Sequence, residues 1–284
     1  LVRPVGKIWP SAEGSENYMP RTTEDRGYSK LLFEQEDSVL KVMINIPEKR
    51  NALDMEVRPQ ILEVLQDLQT DSSVRAVILA GAGKHFCAGG DLRSMQNIGG
   101  PVPAYERLKN GHRLVRAMVE LPKPIITSVD GVAAGAGVSL ILASDLSIVS
   151  DRAKFLFSFI KVGLAPDWGQ YFFLPQRIGM ARTKQLMMEG GSLTAQEAFD
   201  AGMINRIAPH EELEEQTWEW AHSLAQGATK AQALIKAALN CWPMNLSAYL
   251  ELEANLQAVA LNSEDHQEGR DAFLEKRKPN FQGK

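Results

Sequence analysis

The sequence predicts an α/β fold of repeated ββα-type units on a partly parallel sheet, followed by a C-terminal helical segment. Three observations predict it. Short apolar runs of strand character alternate with helical stretches through the first 150 residues. Two of these strands run into glycine-rich loops. The chain beyond about residue 211 is a succession of helical patterns.

Taken in order, residues 1–27 are polar, carry Pro, Gly and Ser, lack periodicity and are read as a flexible N-terminal arm. Leu31 and Phe33 alternate with polar neighbours, and after Glu36-Asp37-Ser38 so do Leu40, Val42, Ile44 and Ile46, which predicts a β-hairpin with one buried face. Asp54 is placed to cap a helix with Ile61, Leu62, Leu65 and Leu68 on one face. Pro59, lacking an N–H, makes that helix start late or bend. Val74–Leu79 is a short, mostly apolar strand of the kind buried on both faces. The loop Gly81–Gly90, a helix over Ala104–Glu120 and a strand over Pro124–Val129 follow. Asp130-Gly131 turns the chain, Ala134-Gly135-Ala136-Gly137 opens an apolar helix ending near Ser144-Asp145, and Leu146–Val149 is a further strand. Thr194-Ala195-Gln196-Glu197 is a capping box whose helix stops at Gly202. Helices are expected at about 211–226, 229–240, 246–262 and 264–276. This gives an α/β core over 28–205 and a helical subdomain over 206–284.

Charged residues are 23% of the chain and balance to a net charge of -4, which gives no basic field to draw nucleic acid or an anionic membrane, so neither partner is expected. Cys87 and Cys241 are far apart and in no ligand spacing, which argues against a disulfide scaffold or a metal site and suits a reducing compartment. No apolar run reaches membrane-spanning length, and Leu1–Gly27 have no apolar leader core, so a cytoplasmic location is expected.

Two motifs carry the chemistry. His85-Phe86-Cys87-Ala88-Gly89-Gly90-Asp91-Leu92 follows a strand; Asp130-Gly131-Val132-Ala133-Ala134-Gly135-Ala136-Gly137 joins a strand to a helix. Small residues admit a ligand close to the backbone, and a helix N-terminus favours negative charge. Together the loops have the means to aim two backbone N–H groups at one developing oxyanion. Either one alone reads better as a tight turn that needs glycine. The first lacks the Gly-Lys-Ser/Thr ending of a phosphate loop.

In this order the two motifs resemble the crotonase (enoyl-CoA hydratase/isomerase) superfamily. Phe86–Leu92 matches its F-x-A-G-x-D-[LI] segment, and Asp130–Gly137 its N-G-x-A-x-G-x-G segment, with Asp130 where Asn is usual. The resemblance extends to Pro47–Leu53, Leu193–Ala198, Ala201–Ile204 and Glu268–Arg277, and covers roughly residues 28–282. It implies a crotonase-like fold, with the N–H groups of Gly90 and Ala136 as oxyanion donors. It implies that Ala52, Leu53, Ala88, Gly89 and Asp91 line the channel for coenzyme A, with Asp91 open to a second reading as a carboxylate bonding its own loop. No cofactor is implied beyond the coenzyme A moiety of an acyl-CoA substrate. The resemblance also implies that the C-terminal helices pack on neighbouring subunits, as a homotrimer or a hexamer, and that Lys276 reaches an adjacent cofactor phosphate.

Hydratases of the superfamily use two glutamates. The matching positions here are Ser139 and Phe159, and neither supplies the acid or base that water addition needs. The segment Gly163–Gln170 instead resembles isomerase-type branches, which carry an Asp or Glu where Asp167 stands; these include Δ3,Δ2-enoyl-CoA isomerases and ring-epoxide isomerases. Dehalogenases acting on 4-chlorobenzoyl-CoA use an Asp there as nucleophile. The resemblance therefore implies that Asp167 carries a proton from C2 to C4 of an enoyl thioester. Trp168, Phe157 and Phe159 would wall the substrate and raise the pKa of Asp167. The bland alternative is that Asp167 caps a helix over Trp168–Arg177. Hydration, dehalogenation, thioester hydrolysis and non-catalytic acyl-CoA binding stay open as alternative functions. His112 falls near a dehalogenase histidine and is otherwise a helix-face residue. Cys87 reads as a small buried filler.

Overall fold

The structure, a computed structural model, describes residues 27–96 and 98–284, so the arm read from 1–27 lies outside the described residues except for Gly27. The hairpin forms as β1 (Leu31–Glu36) and β2 (Val39–Ile44), antiparallel, with Leu31, Phe33 and Gln35 turned inward. β2 then pairs in parallel with β3 (Ala76–Gly81), β3 with β4 (Ile125–Val129), β4 with β6 (Leu146–Ser150), and β6 with β9 (Arg206–Ala208). The six-stranded order is β1-β2-β3-β4-β6-β9.

Both faces of this sheet are covered, which is why its inner strands are largely apolar, β3 along its whole length. Val42, Val77, Leu79 and Ile125 face a core filled by Ile61, Val64 and Leu65 of α1 (Val57–Asp67), Leu114 and Met118 of α2 (Pro101–Glu120), and Leu140 and Ile141 of α3 (Ala136–Ala143). The intervening residues Ala76, Ile78, Ile126 and Ile148 face the other way, onto Leu213, Trp218, Ala221 and Ala225 of α7 (Leu213–Ala225). Strand β9 and helix α7 thus sit on the main sheet, although the sequence pattern groups residues 206–225 with the C-terminal helices.

The helix starts late, at Val57, and Pro59 is accommodated there. The proline lies in the first turn of α1, where the N–H would have no helical partner anyway. The Asp54 carboxylate accepts from the N–H groups of Glu56 (2.9 Å) and Val57 (3.0 Å), so it does organise the helix start. The Thr194–Glu197 capping box is present at α6 (Ala195–Asp200).

A second, three-stranded sheet crosses between the motifs: β5 (Val132–Ala134), β7 (Lys154–Leu156) and β8 (Ser192–Thr194). Each strand is 3 residues long, too short to show a period, and the sequence pattern had run Asp130-Gly131 straight into a helix. Helices α4 (Gln170–Ile178) and α5 (Met180–Glu189) follow β7; α8 (Thr229–Leu239), α9 (Leu246–Leu261) and α10 (Glu264–Glu275) close the chain. Helix α9 buries none of its residues and leaves Leu246, Leu250, Val259 and Leu261 exposed. Among the described residues no helix is long and apolar enough to cross a membrane, and no three His, Cys, Asp or Glu side chains gather as a metal site.

Candidate active site

The first loop is laced to the segment before α1. Asn51 is fully buried with φ 58°; its Oδ1 accepts from Ile46 N–H (2.9 Å), and its Nδ2 donates to the carbonyls of Ala82 (2.9 Å) and His85 (2.7 Å). Ala88 N–H donates to Arg50 O (2.9 Å), Leu53 N–H to Gly89 O (2.7 Å), and Asp91 N–H to Leu53 O (3.3 Å). Ala52 and Leu53 therefore lie alongside Ala88–Asp91, with the Leu53 side chain in the core.

The second loop lies on the other side of the first. Cys87 N–H donates to Val132 O (3.2 Å) and Ala134 N–H to Cys87 O (2.9 Å), so Cys87 acts as a neighbouring strand of β5. This contact explains the glycines better than turn geometry alone. A Cβ on Gly137 would stand 2.4 Å from Cys87 O, and one on Gly89 would stand 2.6 Å from Ala134 O and 3.3 Å from Ala136 N. Gly89 also has φ +90°. The two loops touch backbone to backbone, which sets Gly89, the residue before Gly90, against the nitrogen of Ala136, the first residue of α3. Neither Gly90 N–H nor Ala136 N–H has a hydrogen-bond partner among the described residues.

Asp167 reaches this place on an unusual turn. Gln170 N–H donates to Asp167 O (3.2 Å), while Trp168 and Gly169 have φ 51° and 86°, the mirror-image β-turn. A tryptophan at positive φ is a strained choice that its surroundings must hold. Trp168 is 2% exposed, and its indole fills the space left by Gly111 of α2, where a Cβ would lie 2.2 Å from Nε1. The Arg58 guanidinium covers the ring at 5.2 Å from its centroid.

Helix α4 begins at Gln170 with Gly169 as its N-cap and no side-chain cap, so the capping role for Asp167 is corrected. The Asp167 carboxylate has no hydrogen-bond partner among the described residues, and its Oδ1 is buried. Burial raises its pKa to about 6, against the opposing pull of Arg58 and Arg107. Arg58 donates from Nε (3.1 Å) and Nη2 (2.8 Å) to Leu53 O, and that same Nη2 lies 3.4 Å from where a Cβ on Gly90 would be. Burial lowers the pKa of Arg58 to about 10, with Arg107 adding to the effect. One cation thus borders Gly90, Trp168 and Asp167 together. Arg107 is tied by Nη2 to Ser94 Oγ (2.7 Å).

Residues 34–284 match the profile of the family described as enoyl-CoA hydratase/isomerase. The chain belongs to this family. It is 40% identical to the 1,2-epoxyphenylacetyl-CoA isomerase of Escherichia coli (strain K12) over 261 residues, covering 89% of this chain and 98% of that protein. It is 31% identical to the crotonyl-CoA hydratase of Syntrophomonas wolfei over 256 residues, covering 89% and 98%. Its fold superposes on the enoyl-CoA hydratase/isomerase of Cupriavidus metallidurans CH34 with a TM-score of 0.86 at 34% identity, covering 90% of this chain and 97% of that one. The fold is the crotonase fold, and the chain is an enzyme of this family; its relatives include both isomerases and hydratases.

Within the family pattern, the two positions expected to hold glutamates hold neither an acid nor a base. Ser139 is fully buried, and its Oγ donates to Asp167 O (3.1 Å). Phe159 is buried, with its ring 3.6 Å from where a Cβ on Gly135 would sit. Asp130 replaces the usual Asn without disturbing the loop, because its backbone carbonyl still accepts from Phe86 N–H (2.9 Å). Its carboxylate accepts from Ser150 Oγ (2.7 Å) and Arg152 Nε (2.8 Å); burial pushes its pKa up, but these bonds outweigh that and hold it below the usual range. The Asp91 carboxylate accepts from Arg93 N–H (3.0 Å), in line with the structural reading of that residue. Cys87 is fully buried, with its thiol pushed up to about 12 chiefly by burial, and is no nucleophile. His112 is exposed on α2.

Arg58, Arg107, Gly111 and Gln170 are the site residues that the sequence reading did not single out. For Arg58 a signal existed: it falls three and four residues before Ile61 and Leu62, a cation on the apolar stripe of α1. For Gln170 there was none.

Proposed function

We propose that the protein isomerises an acyl-CoA thioester, with Asp167 as the single proton carrier and the Gly90 and Ala136 amides as the oxyanion donors. The observation that carries this is the Asp167 carboxylate: without a hydrogen-bond partner among the described residues, its Oδ1 buried, and its pKa raised to about 6. A carboxyl near the working pH both accepts and returns a proton. With the thioester oxygen at the two free amides, Asp167 takes a proton from C2 of a 3-enoyl thioester. The C–H pair moves into the dienolate, with its negative charge on the thioester oxygen. The proton is then delivered to C4, the double bond comes to rest between C2 and C3, and Asp167 is again a carboxylate. The absence of acids at 139 and 159 supports one carboxylate serving both steps. The Escherichia coli relative, an isomerase by name, supports this class over hydration and supplies a second substrate type, an aromatic ring epoxide.

The test is to incubate the protein with 3-enoyl-CoA esters of several chain lengths, and with the phenylacetyl epoxide thioester, beside Asp167→Asn. Turnover lost in the variant with binding retained supports the reading. Hydration of 2-enoyl-CoA by wild type and variant alike overturns it. We propose in addition that the chain assembles as a trimer or hexamer through its C-terminal helices, since α9 buries no residue of its own. A monomer by light scattering overturns that assembly.

A further inference from the structure

Gln170 and Ser139 lie in a hydrogen-bond chain whose direction is fixed at each link. Gln170 Nε2 donates to Gly135 O (2.8 Å), a carbonyl that only accepts, so this bond assigns the amide nitrogen. The second hydrogen of Nε2 points to Ser139 Oγ (3.1 Å), and Ser139 gives its own hydrogen to Asp167 O (3.1 Å). At one end, Gly135 directly precedes Ala136 and its free N–H. At the other, Asp167 bears the free carboxylate. Both linking side chains are fully buried.

The arrangement is a poor choice for stability. Gln170 Oε1 is buried with no partner among the described residues, and a buried unpaired acceptor costs stability that an apolar side chain of the same length would not. The amide is therefore retained for its donor side. At the Asp167 end, Trp168 has φ +51°, so the turn that bears the carboxylate is a backbone segment that needs outside support.

We infer that Gln170, acting through Ser139, is a positioning residue: a buried strut that fixes the Asp167 turn relative to the Ala136 amide. The strut runs through position 139, where hydratases of the family place an acid. This inference rests on Asp167 as the proton carrier, but not on which acyl group is isomerised.

The test compares wild type with Gln170→Met, which keeps side-chain length and removes both donated bonds, with Ser139→Ala, and with the double variant. Thermal midpoints are expected to stay level or rise for Gln170→Met. Isomerisation kcat is expected to fall about 10²-fold with KM little changed, because a misplaced base costs rate rather than binding. The acid limb of the pH profile should move with it. The double variant should be no worse than either single one, since both break one strut. Each protein is also assayed for exchange of the C2 hydrogens of a saturated acyl-CoA ester in deuterated water, followed by mass. Wild-type exchange without isomerisation would sink the isomerase reading and leave the strut measurable by the same exchange. A folded Gln170→Met with wild-type exchange rate and pH profile overturns the strut; if that variant does not fold, Ser139→Ala is judged by the same criterion. Wild type showing neither reaction overturns both.

Discussion

Gly111 and Trp168 fit by subtraction: the indole occupies the space that any side chain at 111 would claim, with Nε1 2.2 Å from an added Cβ. Helix α2 therefore sets the height of the turn that carries Asp167. Gly111→Ala should push the indole off its seat and cost about 1–3 kcal/mol, as overpacking of a tight core does. Turnover should fall further than this loss explains, because the turn moves with the ring. Urea unfolding together with kcat checks it; an active Gly111→Ala of wild-type stability would show that the turn is not held from α2.

Asp167 gives stability an inverse dependence on pH. Its folded pKa of about 6 lies above its ordinary 3.8, so between these values the folded chain holds a proton that the unfolded chain has released. Stability from this group falls as pH rises through that window, and above it the ionised carboxylate is a standing cost. Asp167→Asn should therefore melt higher than wild type at pH 8, with the gain gone by pH 4. Activity should run the other way in wild type, climbing toward a plateau above about pH 6. Paired melting curves and kcat/KM profiles test both signs.

Gly89→Ala and Gly179→Ala separate strain from contact. Both glycines have positive φ, +90° and +78°, but an added Cβ meets Ala134 O at 2.6 Å in the first and nothing within 4 Å in the second. Each variant should lose about 1 kcal/mol or more from backbone strain. Only Gly89→Ala should lose turnover, since only it parts the two loops. Equal turnover in the two variants would contradict that.

Lys236 of α8 docks its helix through one buried ammonium, donating to Met118 O (2.9 Å), Lys123 O (3.1 Å) and Asp145 Oδ2 (2.7 Å). Burial lowers the Lys236 pKa and raises that of Asp145, so each ion depends on the other. Lys236→Ala should cost about 3–5 kcal/mol by stranding the carboxylate. Adding Asp145→Asn should restore part of it. Denaturant midpoints of the single and double variants measure the difference.

Much of the fold was legible because its signals are local. Leu31 and Phe33 alternate, Val74–Leu79 is apolar but for Arg75, and Thr194 with Glu197 forms a box within four residues. The motif loops and Asp167 were legible through their order along the chain. What was hidden depends on distant partners. The crossing sheet is built of three-residue strands paired across distant parts of the chain, with Cys87 bridged to Ala133 beside it. Trp168 stands at positive φ with its ring seated between Gly111 and Arg58, and neither is near it in sequence. The Gln170 strut likewise appears only once α3 and α4 are brought side by side.

The free N–H groups of Gly90 and Ala136 belong to the main chain, so no point substitution at either position deletes the donor itself, short of proline. Heritable change in this neighbourhood therefore acts mainly on what surrounds a constant pair of donors. On the proposed mechanism, exchange of a glutamate for Ser139 or Phe159, or of any residue for Asp167, would rewrite the proton traffic while leaving those two amides in place. With the two amides in the oxyanion role proposed above, such a scaffold is free to drift from one reaction to another without first dismantling the part they share.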